Sequence, residues 1–143
     1  YARPFGFIGS SDELDHLFQK EWNKSGGIAS LRQKSGQKIE RKFWRELVFQ
    51  VFEPSGGLND FERYFEIVYE AFARKDHWRV FDDVANSGIF EKLKKSGVTL
   101  GVVSNWDSRL HAILKSTGLA VYFDFILALL SDVSFTEIKS QIY

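Results

Sequence analysis

The run Val98-Thr99-Leu100-Gly101-Val102-Val103, ending on Ser104-Asn105-Trp106, constrains this chain more than any other feature. Short and almost wholly apolar, it reads as a strand buried on both faces. A helical stretch follows from Asp107 to Thr117, with Leu110, Ile113 and Leu114 on one face and Gly118 at its end. Phe123 to Leu130 then supplies a second buried strand. Upstream, Val80-Phe81-Asp82-Asp83 leads into one short helix carrying Val84, Ile89, Phe90 and Leu93, closed by Gly97. Helix, strand, helix, strand in this order is half of an open parallel α/β sheet. Parallel strands need cover and neighbours, so part of the sheet is expected to lie outside this sequence.

Before residue 80 the pattern is different: three helical stretches are separated by Gly- and Ser-rich breaks. The first starts at Ser10, with Glu13 at capping-box spacing, and puts Leu14, Leu17, Phe18 and Trp22 on one face before Ser25-Gly26-Gly27. Residues 28–37 read as a polar connection. The second helix, Lys38 to Glu53, carries Ile39, Phe43, Leu47 and Val51 at four-residue intervals. It adds Trp44, Val48, Phe49 and Phe52, so most of its circumference is apolar and two sides need cover. The third begins at Asn59 and turns Phe61, Tyr64, Phe65, Val68 and Phe72 inward. The chain therefore divides into a helical bundle, residues 1–79, and a partial Rossmann-like core of helix-strand-helix-strand, residues 80–143.

Composition narrows the function classes. There are 19 basic and 19 acidic side chains and no net charge, which gives no electrostatic case for nucleic acid or an anionic membrane surface. No apolar run approaches the roughly 20 residues of a membrane span. The absence of cysteine excludes disulfide scaffolds, thiolate zinc sites and cysteine nucleophiles. Without methionine, and opening on Tyr1-Ala2-Arg3-Pro4, the chain reads as a processed product or a fragment. No targeting signature selects a compartment, and the expectation is a soluble protein of the cytoplasm or an organelle interior.

The best place for chemistry is Leu100-Gly101-Val102-Val103-Ser104-Asn105. In open α/β sheets, ligands bind beyond the carboxyl ends of strands, where the next helix offers free N–H groups to an anion. A hydroxyl at the strand tip can donate to a phosphoryl oxygen, and the neighbouring amide can orient a nucleophile or substrate. The plainer alternative is that Ser104 and Asn105 only cap the following helix. His16, His77 and His111 have no liganding spacing, and Asp82-Asp83 fits a helix start better than a metal motif.

The stretch from Gly97 through Ser104-Asn105-Trp106-Asp107-Ser108-Arg109-Leu110, followed by Gly118-Leu119 and Tyr122-Phe123-Asp124, resembles the haloacid dehalogenase-like (HAD) hydrolases. It is most similar to the subgroup with a helical cap inserted after the first strand. Phe43-Trp44-Arg45-Glu46-Leu47 through Trp78 resembles that cap. The resemblance implies an α/β fold: part of a HAD-type Rossmann-like parallel sheet domain with an α-helical cap domain. It also implies a phosphatase lineage in which Ser104 binds the transferred phosphoryl group, with Asn105 beside it.

The family's aspartate nucleophile, the first residue of an Asp-x-Asp motif, has no counterpart after an apolar strand in this sequence. Ungapped placement of the family's lysine motif on residues 131–143 puts Glu137 at the lysine position. A carboxylate there would repel the charge that the lysine neutralises. The acidic metal motif has no match either, so magnesium is implied only if the missing motifs exist upstream and downstream. The resemblance therefore implies a phosphatase-lineage chain that is catalytically inactive as written. Two alternatives stay open. One is a degenerate scaffold whose aromatic cap contacts a protein partner in a larger assembly. The other is a piece of an active magnesium-dependent phosphatase acting on a small phosphorylated substrate.

Overall fold

A computed structural model describes residues 1–31 and 36–128. Glu137 and the last residues of the expected second strand lie outside the described residues. The chain divides into two compact units, one spanning Tyr1–Ala71 and the other beginning at Phe72.

The first unit is built from three helices: α1 (Ser11–Ser25), α2 (Gln37–Phe52) and α3 (Phe61–Ala71). Ser10 starts α1 as its spacing predicts, its hydroxyl accepting from the Glu13 N–H at 3.1 Å. The reciprocal arm of the capping box is not made, and the Glu13 carboxylate instead accepts from the Ser55 hydroxyl at 3.4 Å. Gly26, at φ 74°, ends the helix in the left-handed conformation that glycine adopts without strain. The connection that follows is less polar than expected, because it opens with a 3-10 turn, Gly27–Leu31, that buries Leu31.

Helix α2 has cover on two sides, as its all-round apolar surface requires. Towards α1, Trp44 stacks on Trp22 with centroids 5.8 Å apart, and Trp22 stacks on Phe18 at the same distance. Towards α3, Phe49 meets Phe61 edge to face at 5.2 Å and Phe52 meets Tyr64 at 5.3 Å. The core gathers Ala2, Phe7, Phe52 and Tyr64. Burial pushes the Tyr64 phenol up to about 12. Arg41 pairs with Glu66, and Arg45 with Glu62, across the exposed α2–α3 rim. Phe72 departs from the expected inward stripe. Helix α3 ends at Ala71, so the helical period stops one residue short of it, and Phe72 is 48% exposed.

The second unit contains α4 (Asp82–Ala85), α5 (Ile89–Lys95), β1 (Gly101–Ser104), α6 (Arg109–Ser116) and β2 (Phe125–Ala128). The single helix expected between Asp82 and Gly97 is two. Gly88, at φ 61°, interrupts it where no side chain need be accommodated. Strands β1 and β2 pair in parallel, in the register Gly101–Phe125, Val102–Ile126, Val103–Leu127 and Ser104–Ala128. The β1-α6-β2 order confirms the α/β class read from the sequence.

Asp124 ties the starts of the two strands together. Its N–H donates to the Leu100 carbonyl at 2.7 Å, and its carboxylate accepts from the Leu100 N–H at 2.9 Å and from Lys94. The Lys94 ammonium first, then the Leu100 N–H, holds that carboxyl below its ordinary value. Helix α6 turns Leu110 and Leu114 onto Ala128, with Val102, Phe123 and Ile126 around them. Burial on both faces does not extend to β1. Gly101 and Val103 are exposed and Val102 is half-buried, because among the described residues helix α6 packs on one face alone.

Gly101 is the position in β1 where a side chain has least room. A Cβ built there would lie 2.1 Å from the ring tip of Phe125, its partner across the sheet. Gly101→Ala is therefore expected to cost about 1–3 kcal/mol as the ring is driven from its place. Urea denaturation checks this; a loss under about 0.5 kcal/mol would mean that the ring swings aside freely.

Candidate functional site

Strand β1 ends at Ser104, and the chain then turns through Asn105–Ser108 into α6. Ser104 is half-buried at the strand tip, its backbone still in register with Ala128, while Asn105 is exposed. Neither side chain makes a hydrogen bond to a described residue. The helix-capping alternative for these two residues is thus not what the structure contains, since other groups satisfy the start of α6.

Asp107 takes that role. Its carboxylate accepts from the Arg109 N–H at 3.0 Å, and its carbonyl accepts from the Leu110 N–H at 3.0 Å. Ser108, directly before the helix, makes no side-chain cap. This departs from the expectation of free helix N–H groups beyond the strand, because the first amide of α6 is already held by a carboxylate. An anion placed at the turn would rely on Ser104 and Asn105 rather than on that amide.

Asp107 is 1% exposed, and a carboxylate buried to that extent needs a partner. The Arg109 guanidinium compensates it: Nε donates to both carboxylate oxygens, at 3.0 and 3.1 Å, and Nη2 donates to the second. The Arg109 side chain is itself only 12% exposed. Its guanidinium lies 5.7 Å from the centre of the Phe72 ring, a cation–π contact. Phe72 meets Trp78 edge to face at 6.0 Å, and the Phe72 carbonyl accepts the Trp78 indole N–H at 2.7 Å. Trp78 in turn meets Trp106 edge to face at 5.1 Å. The sequence pattern contains Trp106, Asp107 and Arg109 without assigning any of them a role. The preference for aspartate at helix starts is the signal that could have singled out Asp107.

The other sequence candidates do not join this place. Asp82 and Asp83 occupy the first turn of α4, where carboxylates suit the positive helix end, and Asp82 pairs with Arg79 at 3.3 Å. Among the described residues, no three His, Asp or Glu side chains come together in a way that could hold a metal ion. The magnesium implied by the resemblance therefore has no ligand set in the described part of the chain. No helix among the described residues is long and apolar enough to cross a membrane.

Comparison with known proteins gives the lineage. A 60-residue stretch is 37% identical to haloacid dehalogenase-like hydrolase domain-containing protein 3 of Danio rerio, covering 42% of this chain and 24% of that protein. The protein of the same name from Homo sapiens is 32% identical over 90 residues, covering 61% of this chain and 35% of that protein. The Mus musculus protein is 32% identical over 129 residues, which is 88% of this chain and 50% of the relative. The chain thus spans half or less of the length of these relatives. The family model described as haloacid dehalogenase-like hydrolase matches residues 11–135, across both units and through the Ser104 turn but short of Glu137. With a parallel β-α-β unit whose first strand ends on Ser104 and a family match over most of its length, this chain belongs to the haloacid dehalogenase-like hydrolases.

Proposed function

We propose that the turn after β1 is the phosphoryl-binding element of a phosphatase-lineage HAD-like hydrolase, with Ser104 and Asn105 as the contacting residues. The observation that carries this reading is that both side chains stand at the strand tip with no hydrogen bond to a described residue, while Asp107 satisfies the start of α6. The Ser104 hydroxyl donates to one phosphoryl oxygen and the Asn105 amide donates to another. Charge-assisted donation of this kind is stronger than a neutral hydrogen bond. In this reading the helical unit, Tyr1–Ala71, is the counterpart of the family's cap.

This sequence holds no Asp-x-Asp behind an apolar strand to attack the phosphorus atom. Ser104 and Asn105 bind the phosphoryl group and do not cleave it. Glu137 in place of a lysine acts in the same direction, since it would withhold the positive charge that phosphoryl transfer needs.

The test is Ser104→Ala in the full-length protein, with inorganic phosphate binding measured by titration calorimetry. Loss of one hydrogen bond to a charged group should raise the dissociation constant roughly 10- to 100-fold. The thermal midpoint should change little, because the hydroxyl supports no described structure. Unchanged affinity, or no phosphate binding by the unaltered protein, would sink the reading and favour the scaffold alternative.

A further inference from the structure

We infer that Asp107 and Arg109 are positioning residues that hold the Ser104–Asn105 turn in its binding geometry. The inference rests on the reading of that turn as a phosphoryl-binding element. Beyond Ser104 the chain leaves the β ladder, and α6 does not begin until Arg109, so regular backbone pairing does not fix the intervening residues. A closed ring of side-chain contacts surrounds them instead. It runs from Trp106 to Trp78, from Trp78 to Phe72, from Phe72 to the Arg109 guanidinium, and from Arg109 to Asp107. The chain itself closes the ring, because Asp107 follows Trp106 directly.

The links are directional. The indole N–H of Trp78 is held by the Phe72 carbonyl at 2.7 Å, which sets the orientation of the Trp78 ring that Trp106 meets. The planar fork of Arg109 reaches both oxygens of Asp107 while its face rests on Phe72. Asp107 also accepts the first helical N–H, so one carboxylate joins the ring to the axis of α6. An exposed ion pair two residues apart would add little. This one is buried, with side-chain exposures of 1% and 12%, and it has little room to rearrange. Its placement makes the direction of Ser104 and Asn105 depend on a guanidinium that itself lies outside the phosphoryl contact.

The full-length protein tests this with Arg109→Lys, which keeps the charge but loses the fork and the flat face. Two readouts are taken: backbone hydrogen exchange at Arg109 and Leu110, and inorganic phosphate affinity. Ile113→Val, a buried change on α6, serves as the control for general loosening. Arg109→Lys is expected to speed exchange at Arg109 and Leu110 about 10-fold and to weaken phosphate binding by a similar factor. Ile113→Val should lower the thermal midpoint without moving phosphate affinity.

If the two amides exchange in Arg109→Lys as they do in the unaltered protein, the ring does not hold the turn and the inference fails. If Ile113→Val weakens phosphate binding as much as Arg109→Lys does, the pair is merely structural and the inference fails as well. Should the unaltered protein bind no phosphate, the proposed function falls, whereas the exchange readout still decides whether the ring holds the turn.

Discussion

Asp107→Ala is expected to cost the second unit about 3–5 kcal/mol, because it strands the Arg109 guanidinium in a nearly closed site without its counter-charge. The same substitution removes the acceptor of the Arg109 N–H and leaves a helix end uncapped, a further loss of about 1 kcal/mol. Against a typical total stability of about 5–15 kcal/mol, that sum is a large share. Urea denaturation followed by tryptophan fluorescence is a suitable measurement, since Trp78 and Trp106 stand in the affected contacts. The double variant Asp107→Leu with Arg109→Met should recover much of the loss, because the dominant cost is an uncompensated buried charge rather than missing attraction. A loss below about 1 kcal/mol for Asp107→Ala would contradict the burial of the pair.

Phe65→Ala carries the second large effect, about 3–5 kcal/mol in the helical unit. Phe65 is 2% exposed, the most enclosed aromatic side chain among the described residues. It stacks on Phe61 at 6.2 Å, tilts against Tyr69 at 5.4 Å, and lies beneath the Arg41 guanidinium at 5.7 Å. Truncation removes the ring's transfer free energy and leaves a cavity between elements that cannot close on it. Helix propensity works the other way, since alanine is the better helix former, but by less than about 1 kcal/mol. Far-UV circular dichroism during urea unfolding gives the midpoint. A shift worth less than about 1.5 kcal/mol would show that α2 and α3 collapse over the vacancy. Phe65→Leu, which retains much of the volume, should cost clearly less.

Much of the helical unit is legible in the sequence because its signals are local. The Ser10 cap, the Gly26 stop and the apolar circumference of α2 each depend on residues within about four positions, and each is found where the spacing puts it. Phe72 defeats the same reading because an apolar residue at helical spacing does not reveal where the helix stops. The break at Gly88 is hidden for a related reason: apolar periodicity runs through it, and a single glycine inside a helical pattern does not by itself announce a left-handed residue.

At the candidate site the sequence points to the place but not to its construction. Ser104 and Asn105 stand at a strand tip as the run Val98–Val103 implies. Which residue caps the next helix depends on turn geometry, and Asp107 wins because its carboxylate meets Arg109 from two directions, through the backbone N–H and through the side chain. By itself the sequence determined the Ser10 start and Gly26 stop of α1, the α/β order of the second unit and the chemical character of the β1 turn, all consequences of short-range patterns. Only the tertiary structure decided the Gly101–Phe125 register, the tie from Asp124 to Leu100 and the ring from Phe72 to Trp106. The long-range contacts among them, Leu100 to Asp124, Trp78 to Trp106 and Phe72 to Arg109, join residues some 24 to 37 positions apart, and one sequence does not say which of many compatible partners a side chain will meet once the chain has paid the entropy of closing such loops.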